Sequence, residues 1–215
     1  MDTAQQKNQD DPFNVLKRFV RSRSAAVERC DLCAKDIWPE HPHLLEPANR
    51  QIHCSCDECA ILFSNQGDFR YKRIPRDVRH LSDFRMTDLQ WESLMLPIQL
   101  AFFFHSTPDE RLIALYPSPA GAMESTLSLE SWDDIVAENP LLGDLEADVE
   151  ALLVNRVGQK REYFIAPIDK CYELVGLIRS KWHGLSGGTE TWSAIDGFFG
   201  ELKGRSQTVR EAANA

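Results

Sequence analysis

The sequence predicts an α+β protein in which a small cysteine-rich module precedes a mixed α+β body. Three observations support this fold class. Five of the six cysteines lie between residues 30 and 59. Short segments rich in branched and aromatic residues then predict several β-strands. Two later segments repeat apolar residues at the 3.6-residue period of an α-helix.

The N-terminal segment, residues 1–27, is predicted to be a polar tail that ends in a short amphipathic helix. Residues 1–11 are polar and acidic, and the apolar residues that follow alternate with lysine and arginine. The apolar residues of this helix are Phe13, Val15, Leu16, Phe19 and Val20. We expect them to pack on the body. The predicted organisation is then a module at 28–64, a body at 65–204 and a second polar tail at 205–215.

The module contains two CxxC pairs, Cys30 with Cys33 and Cys56 with Cys59, separated by 22 residues. Two intervening residues allow both sulfurs of a pair to face one ion, and two pairs supply the four thiolates of a structural zinc site. Clustered cysteines in a chain without a secretory signal indicate metal binding before disulfides. The spacing therefore predicts a zinc site made by these four cysteines.

The segment between the two pairs predicts a β-hairpin followed by a helix. Residues 43–46 and 51–54 have the character of two short strands joined by a turn, and a helix is expected to begin at Cys56. Two acidic residues, Asp57 and Glu58, suit the positive end of that helix. A cysteine knuckle, a hairpin and a helix in this order resemble a treble-clef zinc finger.

Other residues of the module leave alternatives open. Cys54 lies too close to Cys56 to form a CxxC pair, so it is expected to support the site or to replace a ligand. His43 could do the same, as could His41 and His53, although single histidines near such sites more often pack or form hydrogen bonds.

The identity of the metal has an alternative as well. Rubredoxin-type iron sites usually place glycine after each CxxC pair, whereas Ala34 and Ala60 stand there in this sequence, which favours zinc. An iron–sulfur cluster that uses Cys54, Cys56, Cys59 and one cysteine of the first pair stays open.

The body is predicted to contain five strands and three helices. The strands are expected at residues 69–74, 98–104, 112–116, 151–155 and 163–166. The helices are expected from Ser131 to Asn139, from Asp169 to Trp182 and around residues 192–202, with Gly187 and Gly188 separating the last two. Cys171 lies on the apolar stripe of its helix and is predicted to be a buried, inert thiol.

Charge limits the functions that the chain can have. The formal net charge is −9, with 13 Lys and Arg against 12 Asp and Glu in residues 1–80, and 11 against 21 in residues 81–215. An acidic body repels phosphate backbones, so we expect no nucleic-acid binding. Five basic residues follow the module: Arg70, Lys72, Arg73, Arg76 and Arg79. Most such runs are solvated faces, but the position of this one beside a metal module leaves open a docking patch, either for an acidic partner or for the acidic body.

Neither a membrane protein nor an enzyme is predicted. No apolar run is long enough to span a bilayer, and the first residues lack the features of a secretory signal, so we expect a cytoplasmic protein. Ser118 lies in a proline-rich turn without the glycine pattern of a hydrolase nucleophile. No paired acid and base or other catalytic arrangement is found, so a binding protein is favoured.

Several strings in the chain resemble an uncharacterised bacterial family of unknown function. They include CDLC, CSCDECAILF, YPSPAGAMEST and PIDKCYELVGLIRSKWHGLSGG, and the resemblance spans roughly residues 28–202. Members of that family are often encoded near genes for nickel–iron uptake hydrogenases. The resemblance implies a non-catalytic accessory protein that docks on a hydrogenase subunit or a maturation factor. The alternative is a rubredoxin-like or iron–sulfur electron-transfer protein that serves a hydrogenase.

Overall fold

The computed structural model describes residues 27–64, 70–125, 132–184 and 186–209, and the fold within these ranges is mixed α+β. The α+β prediction is confirmed at this level. The amphipathic helix predicted before residue 27 lies outside the described residues.

A small antiparallel sheet contains the predicted hairpin. Its strands, in the order β2-β1-β3, are β1 (His43–Glu46), β2 (Gln51–Cys54) and β3 (Lys72–Arg73). Helix α1 (Asp57–Ser64) follows β2 directly. Of the strand expected at residues 69–74, the structure has Lys72–Arg73, which pairs with β1 (residue 69 lies outside the described ranges).

A seven-stranded sheet forms the centre of the body. Its strands are β4 (Arg79–Leu81), β5 (Leu100–Ser106), β6 (Arg111–Ser118), β7 (Gly121–Glu124), β8 (Glu150–Asn155), β9 (Glu162–Pro167) and β10 (Gln207–Val209). They lie in the order β10-β4-β9-β8-β5-β6-β7, and only the β10–β4 pair is parallel. The predicted strands at β5, β6, β8 and β9 are confirmed with shifted ends. Strands β4, β7 and β10 were not predicted, and β10 lies in the segment expected to be a polar tail.

Helices cover both faces of this sheet. They are α2 (Asp88–Ser93), α3 (Trp132–Glu138), a 3₁₀-helix (Pro140–Asp144), α4 (Ile168–Lys181) and α5 (Gly188–Arg205). Helices α4 and α5 pack on one face, and α2, α3 and the 3₁₀-helix pack on the other. Because both faces are covered, the β5 residues 100–104 are all buried, which explains their continuous apolar run.

The predicted helices are confirmed, apart from the expected cap at Ser131, which lies outside the described residues. Helix α2 was not predicted, although Thr87 and Gln90 form a reciprocal capping box at its start. Gly187, before α5, has a φ of 83°, and a Cβ atom there would lie 3.0 Å from the Trp182 ring. Only glycine fits this turn.

The β1–β2 hairpin lies between helix α1 and the body, and its two faces contact different partners. On one face, Leu44 packs with Ala60 and Tyr71. On the other face, Leu45 belongs to the core of the body, and its cross-strand partner Ile52 packs against that core. The cysteine-rich segment is therefore anchored to the seven-stranded sheet through one side of a hairpin.

Candidate metal centre

Four cysteine sulfurs converge at the end of the hairpin. The Sγ atoms of Cys30, Cys33, Cys56 and Cys59 all lie within 4.8 Å of one another, and those of Cys33 and Cys56 are 3.7 Å apart. In a tetrahedral site with Zn–S bonds of about 2.3 Å, neighbouring sulfurs lie about 3.8 Å apart. These four side chains could therefore hold one metal ion.

The first pair lies on a tight turn. The amide of Ala34 donates to the carbonyl of Cys30 at 2.8 Å, and the amide of Cys30 donates to the carbonyl of Lys35 at the same distance. Ala34 closes the turn with a φ of 60°, in the left-handed region that glycine more often occupies. This curvature turns the sulfurs of Cys30 and Cys33 to the same side.

The second pair lies at the start of α1. Cys56 precedes the helix and Cys59 lies in its first turn, so the amide of Cys59 donates to the Cys56 sulfur at 3.5 Å. The two pairs are joined by hydrogen bonds between Asp31 and Cys54. The Asp31 amide donates to the Cys54 carbonyl, and the Cys54 amide donates to Asp31 Oδ2, both at 2.8 Å.

Burial disfavours the charged thiolate form of most of these cysteines, so their deprotonation depends on a nearby positive charge. Cys30, Cys56 and Cys59 are 2%, 6% and 7% exposed, whereas Cys33 is exposed. Burial raises the pKa of Cys59 strongly and that of Cys56 as well. Burial also tends to raise the pKa of Cys30, but the backbone amides of Cys56, Leu32 and Cys33 outweigh this effect and lower the pKa to about 7. A bound cation would supply the charge that deprotonates the remaining thiols.

A lysine beside the site is already paired. Lys35 Nζ lies 2.5 Å from Glu58 Oε1, and this contact lowers the pKa of Glu58 to about 2. Both side chains are exposed. They connect the turn of the first pair to the helix of the second.

The other candidates of the sequence analysis lie elsewhere. Cys54 is outside the four-sulfur group, and its sulfur instead lies within 4.8 Å of one ring nitrogen each of His41 and His43. His53 lies on the opposite face of β2, where its ring contacts Tyr71 edge-on with centroids 5.4 Å apart. Cys171 is completely buried in the body, as predicted, and burial raises its pKa well above the ordinary value.

The grouping of His41, His43 and Cys54 was not predicted from the sequence. The signal was present, because the predicted hairpin places His43 opposite Cys54. The contact of His43 with Asp169, at 2.7 Å between Nδ1 and Oδ2, had no such signal since the two residues are 126 positions apart.

The basic run after the module divides into two sets. Arg70, Lys72 and Arg79 are ion-paired with Glu46, Asp148 and Glu150, respectively. Arg73 and Arg76 are exposed and, among the residues that the structure describes, form no ion pair. Both line a cavity of about 590 Å³ that also includes Ile61 of α1.

Comparison with known protein families matches residues 29–206 to a family of unknown function (DUF5947). No curated protein and no solved structure matches the chain. In the part of the chain that the structure describes, no helix has the length and apolar composition needed to cross a membrane.

Proposed function

Because the chain belongs to the family of unknown function DUF5947, and this membership specifies no reaction, we propose its function from the site itself: a non-catalytic, zinc-holding protein that acts by docking on another protein. The proposal has two steps. The four cysteines hold a structural metal, and the surface beside them binds the partner.

Four thiolates and no further ligand make a closed site of the kind that holds structural zinc. Three of the four sulfurs are buried, so the ion would be enclosed by protein rather than presented to a substrate. The turn at Cys30–Cys33, the β1–β2 hairpin and α1 follow each other in the order of a treble clef, and we propose that arrangement for residues 28–64. The ion would replace a hydrophobic core in this small module.

The observation that carries the docking function is the pair of exposed arginines, Arg73 and Arg76, on the cavity beside α1. Their three basic neighbours are neutralised within the chain, so these two are the arginines of the basic run that form no ion pair among the described residues. The exposed carboxylates of Asp77 and Glu146 line the same cavity. The same side of α1 exposes apolar surface, since Ile61 is 56% exposed and lines the cavity. Arginine next to exposed apolar side chains is typical of protein interfaces.

We therefore propose that the partner presents an acidic protein segment with an apolar side chain. Such a segment would pair with Arg73 and Arg76 and place its apolar side chain against Ile61. The resemblance to a family encoded near nickel–iron uptake hydrogenases makes a hydrogenase subunit or maturation factor the proposed partner. Charge complementarity of this kind mainly accelerates association, and the effect is screened within about 8 Å at physiological salt.

The experiment is affinity purification of the full chain from a hydrogen-oxidising host, comparing the native protein with Arg73→Glu/Arg76→Glu. We expect the native protein to recover hydrogenase subunits or maturation factors, and the variant to lose them while keeping its metal. Arg85→Glu/Arg179→Glu is the matched control, because it changes the net charge equally at two exposed arginines away from the cavity. Equal recovery by both double variants would contradict the proposed surface.

Metal analysis and a visible spectrum separate the proposed function from the electron-transfer alternative. The zinc protein is colourless, whereas rubredoxin-type iron or an iron–sulfur cluster absorbs visible light. One specific feature favours the alternative: the Cys56 sulfur accepts a hydrogen bond from the Cys59 amide at 3.5 Å, and hydrogen bonds to sulfur tune the potential of redox iron sites. Protein purified without added metal that contains iron and is coloured would overturn the structural-zinc proposal.

A further inference from the structure

We infer that His41, His43 and Cys54 form a second metal site, separate from the four cysteines, with three protein ligands and one open position. The site would take a divalent cation of the zinc type, for which two imidazoles and one thiolate are suitable ligands. It lies on the face of the hairpin that contacts the body.

The hairpin register brings these side chains together. His43 on β1 is directly opposite Cys54 on β2, so both side chains project from the same face. His41 precedes His43 by two residues, and the two rings meet edge-on with centroids 4.8 Å apart. One nitrogen of each ring and the Cys54 sulfur lie within 4.8 Å of one another.

Hydrogen bonds orient both rings for metal binding. His41 Nδ1 lies 2.8 Å from the carbonyl oxygen of Trp38, which can only accept, so this nitrogen must carry the proton. His43 Nδ1 lies 2.7 Å from the carboxylate of Asp169 and must carry its proton for the same reason. A carboxylate or carbonyl that holds the outer nitrogen of a histidine is the usual support of a metal-bound imidazole.

The two inner nitrogens then require a cation between them. With both Nδ1 atoms protonated, the neutral rings direct the lone pairs of their Nε2 atoms toward each other across 3.2 Å. Either an additional proton or a metal ion must relieve this repulsion. In a tetrahedral site with Zn–N bonds of about 2.05 Å, two ring nitrogens lie about 3.3 Å apart, so the observed spacing fits one ion bound by both.

A cavity beside the histidines leaves a position for a fourth ligand. Its volume is about 290 Å³, and both His41 and His43 line it. It is also lined by three cationic and two acidic side chains: Arg76, Lys170, Arg205, Glu40 and Asp169. Water or a small anion could reach an ion at this place. The four-cysteine site has no such opening in its ligand set, since all four positions are thiolates.

The test is a Co²⁺ titration of the metal-free full chain under reducing conditions, followed by absorption spectroscopy and by elemental analysis with Zn²⁺. We expect two equivalents per chain, one with the spectrum of a four-thiolate site and one with the spectrum of a mixed nitrogen–sulfur site. His43→Ala and Cys54→Ala should each lose the mixed-ligand equivalent and keep the four-thiolate one. Asp169→Asn should weaken the second equivalent about 10- to 100-fold, because it removes the negative charge that supports the Nδ1–H group of His43.

His53→Ala is the matched control, because His53 precedes Cys54 on the same strand but lies on the other face of the hairpin. It should keep both equivalents. A single equivalent in the native chain, with the histidine pair sharing a proton, would overturn the inference, as would loss of the four-thiolate spectrum in Cys54→Ala.

Discussion

Replacement of Cys56 by serine removes one of the four sulfurs at the point where the two cysteine pairs meet. Its sulfur lies 3.7 Å from that of Cys33 and accepts the amide of Cys59. Cys56 is 6% exposed, so solvent cannot easily take the place of the lost ligand. We expect this variant to bind metal weakly and to unfold the module while the body stays folded.

The expected loss of metal affinity follows from the number of ligands, and the expected unfolding of the module follows from its small core. Structural zinc contributes about 10–16 kcal/mol of apparent binding free energy in zinc-finger peptides, so one of four equal ligands accounts for about 2.5–4 kcal/mol. At about 1.4 kcal/mol per factor of ten, metal affinity should fall about 60- to 700-fold. Apart from the cysteines, the buried apolar residues of the two module clusters are few: Ile37, Leu44, Ala60 and Tyr71. They cannot replace the ion as a core.

The assay combines competition with a chromogenic chelator and amide hydrogen exchange. Affinity should fall by the stated factor, and the amides of β1, β2 and α1 should lose protection. The amides of β8 and β9 should keep theirs, because those strands belong to the separate core of the body. Cys171→Ala is the control for loss of a buried thiol, and it should leave metal affinity unchanged.

Unchanged metal affinity in Cys56→Ser would mean either that another thiol replaces Cys56 or that the ligand assignment is wrong. Cys54 is two residues away in sequence, so the double variant Cys54→Ser/Cys56→Ser distinguishes these two explanations. If even the double variant holds the metal with native affinity, the four-thiolate site does not exist as described.

Two further predictions concern the contacts between the module and the body. Lys72→Met should lower the free energy of unfolding by about 3–5 kcal/mol in urea denaturation, because the buried Asp148 carboxylate, only 3% exposed, loses the cation 2.6 Å away. The control Lys72→Arg keeps the charge and should cost less. A loss below about 1 kcal/mol for Lys72→Met would contradict the role of this ion pair. Acid should also destabilise the fold, because two carboxyl groups of the body have lowered pKa values. Arg111 and Arg50 lower the pKa of Glu124. Ser106 and Arg50 lower the pKa of Asp109. A carboxyl group whose pKa is lower in the folded state than in the unfolded state stabilises the fold at any pH above its unfolded pKa. The stabilisation from Glu124 and Asp109 is therefore fully present above about pH 5, and it is lost as the pH falls through their lowered pKa values. Arg50→Met should reduce the shift of the urea midpoint between about pH 5 and pH 3, and an unchanged shift would show that Arg50 does not set these pKa values.

Much of the fold could be predicted because local pattern and tertiary structure agree. Strands β5, β6, β8 and β9 are rich in branched and aromatic residues, and α4 carries an apolar stripe from Cys171 to Ile178 that packs on the sheet. The short strands were missed for a physical reason. Strand β10 reads Gln-Thr-Val and has no apolar pattern of its own, so only its parallel pairing with β4 makes it a strand.

The sequence by itself determined the chemistry of the four-cysteine group. Two CxxC spacings are local, and the turn at Ala34 and the first turn of α1 bring each pair of sulfurs together within a few residues. The predicted hairpin between the pairs is equally local, because its register depends on four residues on each side.

Only the tertiary structure decided which contacts surround that group. Strand β3 completes the small sheet although it lies beyond α1 in sequence, and Leu45 enters the core of the body. Asp169, at the start of α4, reaches His43 across 126 positions and fixes the orientation of its ring. Lys72, one of five similar basic residues, is neutralised by Asp148, whereas Arg73 beside it stays exposed. These outcomes depend on how the hairpin packs against the seven-stranded sheet, and no local spacing encodes that packing.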